Sequence, residues 1–151
     1  TVKALVELEV NVGARDQHAC TALHLAAFCG QTQTAKVLVE LGADMCAQNR
    51  YGYTALHLAA RCGHTDTVKA LADLGTDMHA LNSDGRTALH LAAGKGNSQT
   101  VKALVELEVN VGARDQHACT ALHLAAFCGQ TQTAKVLVEL GADMRAQGND
   151  G

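Results

Sequence analysis

Apolar residues along this chain come in short helical bursts separated by polar turns. Thr21 opens the run Thr-Ala-Leu-His-Leu-Ala-Ala, and the burst closes at Gly30. A second burst follows, with Val37, Leu38 and Leu41 at helical spacing before Gly42. The pattern predicts two short helices joined by a tight turn. The Thr21 hydroxyl can accept one of the backbone N–H groups that a helix start leaves without a partner. Gly30 supplies the left-handed residue that stops the first helix, and Gly42 does the same for the second. From Asp44 to Tyr53 the chain is polar and rich in turn residues, which predicts a connector.

The run beginning at Thr21 begins again at Thr54, Thr87 and Thr120, a period of 33 residues without insertion. Each copy is followed by its own glycine: Gly30, Gly63, Gly96 and Gly129. One such helix pair cannot bury its apolar face by itself, so neighbouring pairs must stack into a solenoid. In these residues the chain resembles the ankyrin repeat family, whose signature is a 33-residue unit with a T-P-L-H-x-A core. The resemblance implies an all-α solenoid of helix-turn-helix units joined by hairpin-like connectors. It covers the whole chain as a partial unit over 1–14, full units over 16–48, 49–81, 82–114 and 115–147, and the start of another at 148–151. One departure is uniform: Ala22, Ala55, Ala88 and Ala121 stand where the family has Pro. Pro suits the first helical position but is not required there, and Ala is the best helix former.

A longer period lies over the short one. Residues 1–45 are identical to residues 100–144, an offset of three units, although adjacent units differ at many positions. Duplication of a three-unit block, engineering and a periodic assembly would each produce this, and any ligand patch in the first block is expected to recur in the second. At one seam the glycines are missing. Glu9 and Glu108 stand where Gly42 and Gly75 end their helices, and Ala19 and Ala118 replace the connector-tip glycines. A residue with a Cβ in a left-handed position costs about 1 kcal/mol, so Glu108–Cys119 is expected to form a connector of altered shape. Neither end of the chain carries a polar capping unit, which predicts a window cut from a longer array.

Composition narrows the function. The chain has 151 residues with 12 Lys and Arg against 15 Asp and Glu, a net charge of -3. A nucleic-acid-binding stripe would need clustered positive charge. No apolar run approaches the 18 or so residues of a membrane-spanning helix, and Leu and Val supply enough core to exclude disorder. There is no nucleophile elbow and no HExxH zinc motif, and Gly94-Lys95-Gly96-Asn97-Ser98 lacks the spacing of a phosphate-binding loop. Its glycines read better as the end of a first helix. No enzyme, cofactor, metal or small-molecule substrate is expected.

His24, His57, His90 and His123 are each the His of the TALH motif that starts at Thr21, Thr54, Thr87 and Thr120. The resemblance implies a structural role, with each imidazole hydrogen-bonded to the connector backbone between neighbouring units. His18, His64, His79 and His117 fall in loops and make no dense ligand set. Equivalent cysteines such as Cys29 and Cys62 lie about 10 Å apart on stacked helices, too far for a disulfide. Six reduced thiols point to a cytoplasmic protein.

In this family the connector tips and the inner face of the first helices form the concave ligand surface. Carried onto this chain, those positions hold Gln17, His18, Cys20, Phe28 and Cys29, then Arg50, Tyr51, Tyr53, Arg61 and Cys62. The third unit offers Ser83, Asp84, Arg86 and Lys95, and the fourth Gln116, His117, Cys119, Phe127 and Cys128. All the Phe and Tyr of the chain lie there. Tyr, Phe and Arg are the residues that anchor protein interfaces, and Arg50, Tyr51, Tyr53 and Arg61 make the best patch. The alternative reading of these positions, that the fold leaves them free to vary, carries less weight than binding. On the opposite face Lys36, Lys69, Lys102 and Lys135 each precede an acid by four residues, a mixed-charge solvated stripe. The expected function is therefore a non-enzymatic protein-interaction module. The rival expectation is a structural segment of a periodic array or filament, whose partner is further copies of the chain.

Overall fold

Every first helix begins one residue after a threonine, because the threonine and the histidine three residues on cap each other. In a computed structural model that describes residues 12–143, the Thr21 hydroxyl accepts the His24 backbone N–H and His24 Nδ1 accepts the Thr21 N–H. This is a capping box with His in the place usually held by Glu or Gln. Thr54, Thr87 and Thr120 repeat it with His57, His90 and His123. Eight helices result in four pairs: α1 (Ala22–Phe28) with α2 (Thr32–Glu40), α3 (Ala55–Arg61) with α4 (Thr65–Asp73), α5 (Ala88–Gly94) with α6 (Ser98–Glu106), and α7 (Ala121–Phe127) with α8 (Thr131–Glu139). No strand occurs among the described residues. The partial unit up to residue 11, with Lys3, Glu7 and Glu9, and the chain from residue 144 lie outside them.

First helices stack on first helices and second helices on second helices, giving the all-α solenoid that the period predicts. Ala27, Ala60 and Ala93 are fully buried between first helices, where small side chains let the axes approach. Leu23, Leu56 and Leu89, with Val68, Leu71, Val101, Leu104 and Leu137, fill the space between the two layers.

Three polar ladders fix the stacking. His24 Nε2 meets the Tyr53 carbonyl at 2.8 Å, His57 meets Arg86 at 3.0 Å and His90 meets Cys119 at 2.9 Å. A second ladder tops the first helices. His64 Nε2 bonds the Phe28 carbonyl at 2.9 Å, Asn97 donates to the Ala60 and Arg61 carbonyls, and Gln130 donates to Gly94. His64, expected in a loop, is thus the N-cap residue of α4 and a joint between pairs. It passes over Gly30, where a Cβ would lie 2.6 Å from the imidazole. The third ladder joins hydroxyls of the second helices: Thr32 to Thr67, Thr65 to Thr100, and Ser98 to Thr133, at 2.7, 2.8 and 2.7 Å.

The connector Glu108–Cys119 does not change shape, contrary to expectation. Glu108 takes φ +66° and Ala118 +61°, beside +92° at Gly75 and +73° at Gly85. Glu108 N–H bonds Val105 and Val109 N–H bonds Leu104, the same double closure that Gly42 and Ala43 make. Both neighbours of the connector are stacked on it, so the backbone keeps its course and Glu108 and Ala118 bear the left-handed strain. Exposed Lys36, Lys69, Lys102 and Lys135 form no ion pair with their i+4 acids; the ion pair seen among the described residues is Arg86–Asp115.

Candidate partner-binding groove

Each connector tip is held by an Asx turn. Asp16 Oδ1 accepts the backbone N–H groups of His18 and Cys20, and Asn49 Oδ1 accepts those of Tyr51 and Tyr53. Consecutive tips are then tied by single backbone bonds, Arg50 N–H to the His18 carbonyl at 3.0 Å and Ser83 N–H to the Tyr51 carbonyl at 3.2 Å. This register sets His18 and Tyr51 side by side, ring centroids 6.4 Å apart with their planes inclined by 29°. Tyr53 follows at 6.3 Å from Tyr51, and the Arg50 guanidinium lies 5.7 Å over the Tyr51 ring.

Between the first two pairs these tips and the facing helices enclose a groove of about 330 Å³. Its walls are Asp16, His18, Cys20, Leu25 and Phe28 on one side and Asn49, Tyr51, Tyr53, Leu58 and Arg61 on the other. The groove thus assembles five of the anchors expected from the sequence, with Arg50 at its rim. Leu25 and Leu58 were not foreseen. The signal was present, since Leu25 lies three residues before Phe28 and Leu58 three before Arg61, which puts each pair on one helix face. Leu25 is 50% exposed while Leu58 is only 6% exposed, because α3 packs against α1 and no earlier first helix covers Leu25 among the described residues.

The remaining anchors are elsewhere. Arg86 is committed to Asp115 through its Nε at 3.1 Å. Lys95 caps α5 outside the groove, and Phe127 stands 89% exposed on α7. His117 repeats the His18 turn on Asp115. Asp115, His117, Cys119 and Phe127 repeat the α1 wall, and the wall that would follow them begins at residue 148, outside the described residues.

The groove's electrostatics follow from which groups are already bonded. Backbone donors from Cys20 and His18 hold the Asp16 carboxyl below the usual carboxylate range. Asn49 is occupied on both ends, its amide nitrogen reaching Cys20 Sγ at 3.5 Å. Burial pushes the Cys62 thiol up, away from the reactive thiolate, and the six cysteines stand as thiols. No cluster of three or more metal-ligating side chains occurs among the described residues, and no helix there is long and apolar enough to cross a membrane.

No curated protein sequence matches the chain. The family described as ankyrin repeats (3 copies) matches residues 1–81 and again 74–148. Those two stretches take in all the stacked helix pairs with their threonine–histidine caps, and the chain belongs to the ankyrin repeat family.

Proposed function

We propose that this chain is a non-enzymatic, cytoplasmic protein-interaction module that holds its partner in the groove between α1 and α3. Ankyrin repeats are generally protein–protein interaction modules. The observation that carries the reading is the convergence of Phe28, Tyr51, Tyr53 and Arg61 on one cavity, when the fold itself uses none of these side chains in its core. Aromatic and Arg side chains around a partly desolvated pocket are the usual anchors of an interface. The groove opens on the side of the connector tips and first helices, the concave side of such arrays. The fold alone does not choose a partner, and this site does. Panning the chain against a random-peptide phage library tests it. The selected pool should lose binding to Phe28→Ala/Tyr51→Ala and keep it on Phe127→Ala. A pool that binds both variants alike rejects the groove.

A second reading, end-to-end self-association, rests on a different face. Ala126 is exposed where Ala27, Ala60 and Ala93 are fully buried, and with Ala134 and Val138 it lines an open depression of about 540 Å³ along α7 and α8. Covering that face by another copy would build a periodic array. Electron microscopy of the concentrated chain should then show filaments, and discrete monomers would reject this reading.

A further inference from the structure

We infer that the groove between α1 and α3 selects an acidic segment, a carboxylate side chain flanked by apolar residues, and rejects basic ones. The inference rests on the groove being a binding site and adds what it binds. It comes from the state of each polar group in the walls. Asn49 is bonded at both ends within the chain, and Asp16 has one oxygen taken by two backbone donors. Arg61, by contrast, makes no hydrogen bond or ion pair from its guanidinium to any described residue, and neither do the Tyr51 and Tyr53 hydroxyls from theirs. Arg50 adds a second guanidinium at the rim, stacked on Tyr51. The unbonded groups are thus two guanidiniums and two phenols against the second oxygen of Asp16. Arg61 and Arg50 less the Asp16 carboxylate leave groove and rim with a formal charge of +1 in a chain whose net charge is -3.

Donors of this kind are matched by a carboxylate. One guanidinium takes a carboxylate through two parallel N–H···O bonds, and a phenol O–H can complete the shell. The rest of the wall is apolar: Phe28 and Leu25 face Leu58 and the Tyr51 ring across the groove. Such a surface holds the hydrocarbon neighbours of the acid and shields the ion pair from solvent. A basic segment would set its cation against Arg61 and Arg50, a repulsion that costs binding at the moment of docking. The third and fourth pairs lack this pattern, because Arg86 is already neutralised by Asp115 and Gly94 replaces Arg61.

The peptide pool selected on the wild-type chain gives the test, read by sequencing and by binding of synthetic members. It should be enriched in Asp or Glu next to Leu, Phe or other apolar residues, and individual peptides should bind Arg61→Gln about tenfold or more weakly, as loss of one charge-assisted pair requires. A pool selected on Arg61→Glu should shift toward Lys and Arg. Thermal melts of both variants check that they fold, and peptides captured equally by wild type and Phe28→Ala/Tyr51→Ala are discarded as binding elsewhere. A pool that depends on Phe28 and Tyr51 yet shows no acidic bias, or that binds Arg61→Gln undiminished, overturns this inference and leaves the groove as a binding site. Absence of any groove-dependent pool overturns both. Enrichment of phosphorylated over carboxylate peptides from a mixed synthetic set would overturn the carboxylate assignment.

Discussion

Arg86 donates through Nε to Oδ2 of Asp115 at 3.1 Å, and the Asp115 side chain has no exposed surface. Its other oxygen accepts the backbone N–H groups of His117 and Cys119 at 2.9 and 3.0 Å. Burial works to raise the Asp115 pKa, but the two backbone donors and Arg86 outweigh it and hold the carboxyl below the usual carboxylate range. Two roles are combined here, a turn lock shared with Asn49 and Asn82 and an ion pair found only here among the described residues. Asp115→Asn should keep the lock and lose the ion pair, costing about 1 kcal/mol, whereas Asp115→Ala strands both backbone donors and should cost about 2–3 kcal/mol. Urea unfolding of the two variants and of Arg86→Ala measures this. Equal losses for Asn and Ala would show that the ion pair, not the turn, carries the effect. Because the native pKa is depressed, this contribution is present above about pH 4 and fades as the pH falls through the lowered value.

The histidine joints act in a different pH window. A backbone N–H can only donate, so Nδ1 of His57 must be the unprotonated nitrogen that receives Thr54, and Nε2–H then donates to the Arg86 carbonyl. Protonation would place a second hydrogen against the Thr54 N–H. Burial lowers the pKa of His24, His57 and His90, with the backbone acceptors opposing it. An unfolded histidine titrates near pH 6.5, so below that pH the unfolded chain binds more protons and stability falls. Above about pH 7 both states are neutral and the loss vanishes. The urea midpoint should therefore decline between about pH 7 and 5, before the Asp115 window opens. His57→Gln keeps a capping residue but cannot carry the same joint, and it should flatten that decline by roughly a third, one joint of three comparable ones, while costing about 1 kcal/mol at neutral pH. An unchanged slope in a His24→Gln/His57→Gln/His90→Gln variant would refute the assignment.

Among the described residues glycine belongs at three positions that lack it, Ala19, Glu108 and Ala118. Glu108 and Ala118 hold φ of +66° and +61°, and Glu108 also brings a carboxylate to the negative end of α6. Glu108→Gly and Ala118→Gly should each stabilise the chain by about 0.5–1 kcal/mol, the relief of left-handed strain less the added entropy of the unfolded glycine. The two gains should add, since the residues share no hydrogen bond. A thermal melt lower than wild type for either would mean that its side chain makes a contact worth more than the strain.

Much of this molecule was legible because a repeat writes each local choice four times. The threonine caps and the helix-ending glycines follow from spacing, and the roles of His24, His57 and His90 are what the family resemblance implies. What escaped reading depended on registration between pairs. His64 looked like a loop histidine because its acceptor, the Phe28 carbonyl, is 36 residues away. Arg86 looked available for a partner because Asp115 is 29 residues on, and nothing local marks their approach. The connector after Glu108 was misjudged for the opposite reason: local propensity pointed to a new shape, and stacking on both sides overrode it. At the groove, aromatic and Arg types marked Tyr51 and Arg61, but Leu25 carries the same letter as the buried Leu58 and Leu91 and differs only in what covers it.

The hydroxyl ladder offers a test of how far the stacking depends on polar contacts. Thr100 is buried to 1% exposure on α6, and its hydroxyl meets that of Thr65 at 2.8 Å. Neither shows any sign in the sequence of being more than a helix surface threonine. Thr100→Val replaces the hydroxyl by a methyl of similar size and leaves Thr65 facing an apolar group, so it should cost about 1 kcal/mol. Thr65→Val alone should cost more, about 1–2 kcal/mol, because the fully buried Thr100 hydroxyl then has no partner from α4. Replacing both removes the unsatisfied group along with the bond, and the double variant should be less destabilised than the sum of the two, a favourable coupling that a double-mutant cycle in urea reads directly. Strict additivity would mean the hydroxyls do not bond in solution, and the second helices would then be stacked by Val68, Leu71, Val101 and Leu104 without help from the ladder.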